Sequence, residues 1–363
     1  MKPFATNHEE LIHDVSYDFY GKQLATCSSD QHIKVFDLDS INNEWILNDS
    51  WKAHDSTIVK LDWASPEFGK ILASVSYDKT IRIWEEDLDE QHRSGRRWKK
   101  LAILNDSKGP LYDIQFAPSH LGLKLSAIGN DGVLRIYEAL EPADLRSWTL
   151  TSEISILTTP TASHLQSDFA LAWCRSRFSP EKLVVCALDQ GFIYQRDTSL
   201  NKLILVATLP EHGGLIRSVS WAPSMGRNYQ LIATGCKDGK VRIFKLTEKF
   251  SSSRKKKVST LNHNNSNNNN NNNNNGGNDN GNNDLKDYNL DTNLNSNESP
   301  NIDISIDLIS EHDDHQGEVW SVSWNLTGTI LSSSGDDGKV RLWKASYSND
   351  FQCLSVVSAE KRD

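Results

Sequence analysis

The chain has 363 residues, 37% hydrophobic and 24% charged, with a formal net charge of −9. That length fits two average domains or one large all-β domain, and the acidic balance argues against a general nucleic-acid binder. No run approaches the roughly 18 apolar residues of a membrane span, and the start, MKPFATNHEE, lacks the apolar core of a secretory leader.

The five cysteines, Cys27, Cys174, Cys186, Cys236 and Cys353, form no C-x-x-C pair. They read as reduced thiols of the cytosol or nucleus.

Along the chain one phrase recurs: an apolar strand, a short polar turn holding Asp, and a second strand ending in an aromatic. It reads QLATCSSDQHIKVF, ILASVSYDKTIRIW, KLSAIGNDGVLRIY, LVVCALDQGFIY, LIATGCKDGKVRIF and ILSSSGDDGKVRLW. The turn aspartates are Asp30, Asp78, Asp131, Asp189, Asp238 and Asp337. Ahead of each phrase lies another strand (DVSYDFY, IVKLDWAS, LYDIQFAP, DFALAWC, IRSVSWAP, VWSVSWN), most with period-2 alternation. Behind it lies an outer strand such as EWILNDSWKA or WKKLAILND. Four strands per unit, repeating about every fifty residues, predict a β-propeller. One blade cannot bury both its faces alone.

The last interval is longer because residues 251–301 change character. SSSRKKKVSTLNHNNSNNNN is basic and then Asn-rich, too poor in apolar mass to fold. The expectation is one propeller domain over 1–363, with 251–301 a disordered loop between the third and outer strands of blade five. The RKKK run and the basic loop QHRSGRRWKK read as solvated charge. After Trp343 the chain continues into FQCLSVVSA, which serves as the outer strand of blade six. MKPFATNHEE is a poor outer strand. All six blades are therefore complete within the chain, with no blade built from both ends. Either the ring closes by face packing, or it stays open between blades one and six and another protein fills the gap.

These units resemble WD repeats. That family places His before the inner strand, Ser or Thr four residues before the turn Asp, and Trp six after it. His54, Ser74, Asp78 and Trp84 match, as do His315, Ser333, Asp337 and Trp343. Blade five matches with His212, Thr234 and Asp238, but Phe244 replaces Trp. Blade one has Thr26, Asp30 and Phe36, with His8 or His13 as its histidine. Blades three and four have Ala127 and Val185 where the hydroxyl belongs. A His–Asp pair repeated in several units serves the repeat rather than one active site.

Beyond the repeats, linkers such as LEPADLRSWTL and WAPSMGRNYQ make the chain similar to the Sec-thirteen-homologue nucleoporins of fungi. The resemblance implies an open six-bladed propeller that scaffolds the Y-shaped coat of the nuclear pore. There an α-solenoid partner, the 85-kilodalton nucleoporin, inserts a seventh blade. It also implies membership of the vacuole-associated SEA complex, with its own solenoid subunits, which regulates target-of-rapamycin signalling. No catalytic residue, cofactor, metal, direct nucleic-acid contact or obligate homo-oligomer is expected. Phe4, Leu11, Val15 and Phe351 are the candidate contacts for the inserted blade. A substrate-recruiting adaptor and a vesicle-coat scaffold are the alternatives.

Overall fold

The computed structural model describes residues 4–141, 144–158, 161, 166–250, 302–346 and 350–358. The expected disordered insert, 251–301, lies outside them.

The described chain forms six four-stranded antiparallel sheets, each ordered from its first strand at the inside to its fourth at the rim. Blade one is β1 (Ile12–Tyr17), β2 (Gln23–Ser28), β3 (His32–Asp39) and β4 (Glu44–Lys52). Blade two is β5 (Ile58–Trp63), β6 (Ile71–Ser76), β7 (Ile81–Glu86) and β8 (Trp98–Leu104). Blade three is β9 (Leu111–Phe116), β10 (Lys124–Gly129), β11 (Val133–Glu138) and β12 (Thr149–Ser155). Blade four is β13 (Phe169–Trp173), β14 (Lys182–Ala187), β15 (Gln190–Asp197) and β16 (Lys202–Thr208). Blade five is β17 (Ile216–Trp221), β18 (Gln230–Cys236), β19 (Val241–Phe250) and β20 (Ile302–His312). Blade six is β21 (Val319–Trp324), β22 (Ile330–Gly335), β23 (Lys339–Ala345) and β24 (Phe351–Ser358). Thus FQCLSVVSA is the outer strand of blade six, and β20 resumes blade five after the insert. No helix among the described residues is long and apolar enough to cross a membrane.

The turn between the middle strands explains the recurrent aspartate. Its carboxylate accepts the amide two residues on: His32 from Asp30, Thr80 from Asp78, Lys240 from Asp238. That Asx turn fixes the reversal. The residue after the aspartate takes positive φ, at Gln31, Lys79, Gly132, Gly239 and Gly338. Glycine holds the last three because it adopts that conformation without steric cost.

The core is a set of layers between blades. Blade one's Ala25, Cys27, Ile33 and Val35 meet Leu61, Leu72 and Trp84 of blade two. Blade two's Ala73 and Ile83 meet Ile114 and Leu125 of blade three. The same arrangement joins blades three and four, four and five, and five and six. Each buried Val, Leu or Ile contributes about 1.5–3 kcal/mol, so stability resides between blades. A sixth, smaller cluster of Leu24, Phe36 and Trp45 belongs to blade one alone.

Candidate functional site

Two constellations stand out: the buried polar relays inside the blades, and the two blade faces, on blades one and six, against which no other blade packs among the described residues.

In blade two the relay is complete. His54 Nδ1 lies 2.9 Å from Asp78, its Nε2 lies 2.8 Å from Ser74 Oγ, and the Trp84 indole N–H donates to that hydroxyl over 3.0 Å. Blade six repeats it: His315 to Asp337 at 3.0 Å, His315 to Ser333 at 2.7 Å, Trp343 to Ser333 at 2.8 Å. Burial lowers the pKa of His54 even beside Asp78, which favours the uncharged ring. Burial alone would raise Asp78, but hydrogen bonds from His54 and Thr80 hold its carboxyl well below the usual range. With each polar atom of this relay paired, the hydrogen-bond network fixes one geometry.

The other blades depart in instructive ways. Blade one uses His8, which bonds Asp30 at 2.7 Å and Thr26 at 2.9 Å. His13 instead reaches Ser29. In blade five His212 bonds Thr234 at 2.9 Å, but Asp238 turns to Arg242 at 2.6 Å. Blade three pairs Asp131 with Arg135 at 2.7 Å. An arginine four residues beyond the turn aspartate also serves blades two and six, as Arg82 and Arg341. Sequence reasoning missed these arginines, although D-x-x-x-R stands in four of the six phrases.

The inner strands are laced together by side chains that accept the next blade's amides. Asp14 accepts Leu61 N–H at 3.0 Å, Asp62 accepts Phe116 N–H at 2.6 Å, and Asp113 accepts Leu171 N–H at 2.8 Å. Gln115 accepts Trp173 N–H at 2.8 Å, and Ser218 accepts Val322 N–H at 3.2 Å. Trp63 and Trp324 return the bond, donating to the carbonyls of Ser16 and Ser220 in the preceding blade. Every donor amide sits at one of two strand positions. In blade one those positions are Val15 and Tyr17. In blade six the acceptor positions are Ser321 and Ser323.

At these positions the packing changes. Strands β5, β9, β13 and β17 each pack on both neighbouring inner strands, whereas no comparable packing joins β21 to β1 among the described residues. Val15 is 49% exposed, where its counterparts Leu61, Ile114 and Leu171 are buried, and Tyr17 is 50% exposed, where Phe116, Trp173 and Trp221 are buried. On blade six, Ser332, Ser334, Val340 and Leu342 occupy the places of Ala25, Cys27, Ile33 and Val35. The four in blade one are fully buried, while Val340 is 39% exposed.

The anticipated contact residues divide. Leu11 is 74% exposed and Val15 lies on the free face of blade one. Phe4 lies against that same face, 5.1 Å from the Phe36 ring and 6.3 Å from Trp45. Phe351 does not belong with them. It is 4% exposed and packs at 5.7 Å on Trp324 in the layer shared with blade five. As the first residue of the outer strand it points towards blade five and not towards the opposite face of blade six. The residues on that opposite face, Ser332, Ser334, Val340 and Leu342, were missed. Aligning the phrases exposes them, because only ILSSSG has serine at both places where other blades alternate in Ala, Cys, Val, Ile, Ser or Gly.

Such a molecule is a WD-repeat β-propeller. The WD domain, G-beta repeat family matches residues 1–37, 45–85, 203–245 and 306–344. Those are blades one, two, five and six, and the unmatched blades three and four lack the hydroxyl. A chain in the crystal structure of the mitotic checkpoint complex shares the fold, with TM-score 0.59 at 14% identity over 94% of this chain and 76% of that one. Nucleoporin SEH1 of Saccharomyces cerevisiae is 60% identical over 99% of this chain and 100% of its own. Nucleoporin seh1 of Schizosaccharomyces pombe is 42% identical over 98% and 96%, and Nucleoporin SEH1 of Xenopus tropicalis 34% over 99% and 88%. The chain belongs to the SEH1 family of nucleoporins.

Proposed function

We propose that the chain is a non-catalytic scaffold of the Y-shaped nuclear pore coat, held there by a partner blade seated between blades one and six. The observation that carries this is the pair of unpacked faces, Val15 and Tyr17 on one side and Val340 and Leu342 on the other. An occupant would complete the lacing: its amides would reach Ser321 and Ser323, and its own Asp, Ser or Gln would accept the N–H groups of Val15 and Tyr17. Such addition of β-structure takes its affinity from main-chain bonds. The partner fitting the family is an α-solenoid nucleoporin, the 85-kilodalton subunit. The same surface would hold solenoid subunits of the SEA complex at the vacuole, tying the chain to target-of-rapamycin signalling. It would serve only one such partner at a time. A role in mRNA export follows from the pore scaffold.

The test is gel filtration with light scattering of the full chain mixed with the 85-kilodalton nucleoporin. A 1:1 complex is expected, lost with Val15→Lys plus Val340→Lys while the free chain stays folded. A monomer that captures no solenoid, or a complex indifferent to both charges, would sink the reading.

A further inference from the structure

A second surface lies away from that seam. Between blades five and six, where β21 turns into β22, is a cavity of about 320 Å³. Its floor is apolar, made by Leu231, Ile309 and Phe351, and its walls carry Arg227, Lys245 and Lys344. This is the low end of the ~300–1,000 Å³ typical of ligand pockets, room for one or two side chains.

The three cations lack counter-charges among the described residues. Among the described residues no carboxylate lies within ion-pair distance of any of them. Arg227 and Lys245 are half-buried and Lys344 is exposed, whereas buried cations elsewhere meet carboxylates: Arg97 meets Glu86 at 2.8 Å, Lys182 meets Glu248 at 2.5 Å, and Arg217 meets Asp168 at 3.0 Å. Arg227 is held by carbonyls alone, donating to Gly328 at 2.8 Å and Pro223 at 2.7 Å. Its Nε is buried with no partner. Tyr229 lies under both Arg227 and Lys245, with the Lys245 ammonium 4.7 Å from the ring centre. A half-buried guanidinium without an anion is costly, and burial lowers its pKa accordingly. In a chain of net charge −9, this is a local positive field over an apolar floor.

We propose that the cavity docks an acidic linear segment of a partner protein. That segment would place one Phe or Leu on Leu231, Ile309 and Phe351 and set flanking carboxylates against Lys245 and Lys344. An inorganic anion would leave the apolar floor unused. A membrane surface would not enter a recess in an acidic chain.

Fluorescence polarisation on the full chain tests this. The probe is a fluorescein-labelled nonapeptide with a central Phe flanked by Glu and Asp, with a Phe→Ser version and a version with Lys in place of the acids. Saturable binding is expected for the first. It should weaken at least about ten-fold, ~1.4 kcal/mol, with the Ser or Lys peptide and with Lys245→Glu plus Lys344→Glu. Neither lysine holds an ion pair, and Lys344→Gln provides a milder variant whose unchanged melting temperature separates lost binding from lost fold. Absence of saturable binding, equal binding of the Ser peptide, or indifference to the lysine changes would overturn the proposal. So would full displacement by equimolar phosphate, or preferential binding of phosphatidylserine vesicles through the same lysines.

Discussion

The junction of blades two and three and the faced-off edges of blades one and six are built from the same strands at the same positions, yet they end in different physical states. Between blades two and three, Ile81 and Ile83 are buried against Leu111 and Ile114, and Asp62 accepts the next blade's amide. At the edge of blade six, Val340 is 39% exposed and serines stand beside it. On blade one the exposed residues include Val15 and Tyr17, while Phe4 packs on Phe36 and Trp45 of the same face. Among the described residues five layers between blades bury the apolar side chains, and on the blade-six face serines dilute the apolar surface.

Substitution at equivalent positions is the strongest way to break this comparison. Ile81 is 1% exposed, so Ile81→Ser should cost about 3 kcal/mol, by lost burial and a stranded hydroxyl. Val340→Ser, its counterpart in blade six, should cost under about 1 kcal/mol in the free chain. Urea unfolding of both variants measures the gap. Equal losses would mean that the blade-six face is as well packed as an inner one.

The relays give the next effect. His54→Ala removes a buried ring that bridges Asp78 and Ser74 and takes one partner from each, for an expected loss of about 2 kcal/mol. His8→Ala acts at the blade-one edge, where the N-terminal segment is also held by Lys34 Nζ donating to Thr6 and Asn7 carbonyls. Its loss should be about half as large, and limited proteolysis should show the N-terminal segment released while the blades stay intact. Global unfolding from His8→Ala would make that segment part of the core instead.

Much of this could be read from the sequence, for a physical reason. The repeat phrase carries its own turn chemistry, so Asp30, Asp78, Asp131, Asp238 and Asp337 mark their hairpins without any tertiary information. The relays of blades two and six were equally plain, because each needs four fixed residue types at fixed spacing. What was not legible depended on which face a residue takes. Phe351 looked like a residue for the free edge, but strand alternation and the break in pairing near Trp343 turn it towards Trp324. The choice of His8 over His13 depended on how the chain enters β1. In blade five, the swing of Asp238 from His212 to Arg242 is a contest between two buried partners that no motif decides.

The smallest effect sharpens the comparison through pH. Asp62 is crowded into the inner wall, and burial pushes its pKa up to about 7 despite the Phe116 amide. Asp113 and Asp168 are raised to about 6, again chiefly by burial. A carboxyl whose folded pKa exceeds its unfolded one stabilises fully below the unfolded value, and that contribution fades as pH rises through the folded pKa. Acidifying from about pH 8 to 5.5 should therefore raise the melting temperature. Below about pH 4 the trend reverses, because Asp78 and Asp337, both held low by their hydrogen bonds, lose their ionic form. Asp62→Asn keeps an oxygen for the Phe116 amide but removes the titration. It should flatten the rise by about 1 kcal/mol or less, allowing for solvent screening. The inner blades thus hold one another with carboxylates that are least comfortable at neutral pH, whereas the serines at the blade-six edge do not titrate. A partner blade seated there should bind with little pH dependence between 5.5 and 8. A steep dependence would show that its contacts run through the aspartates of the wall and not through Ser321 and Ser323.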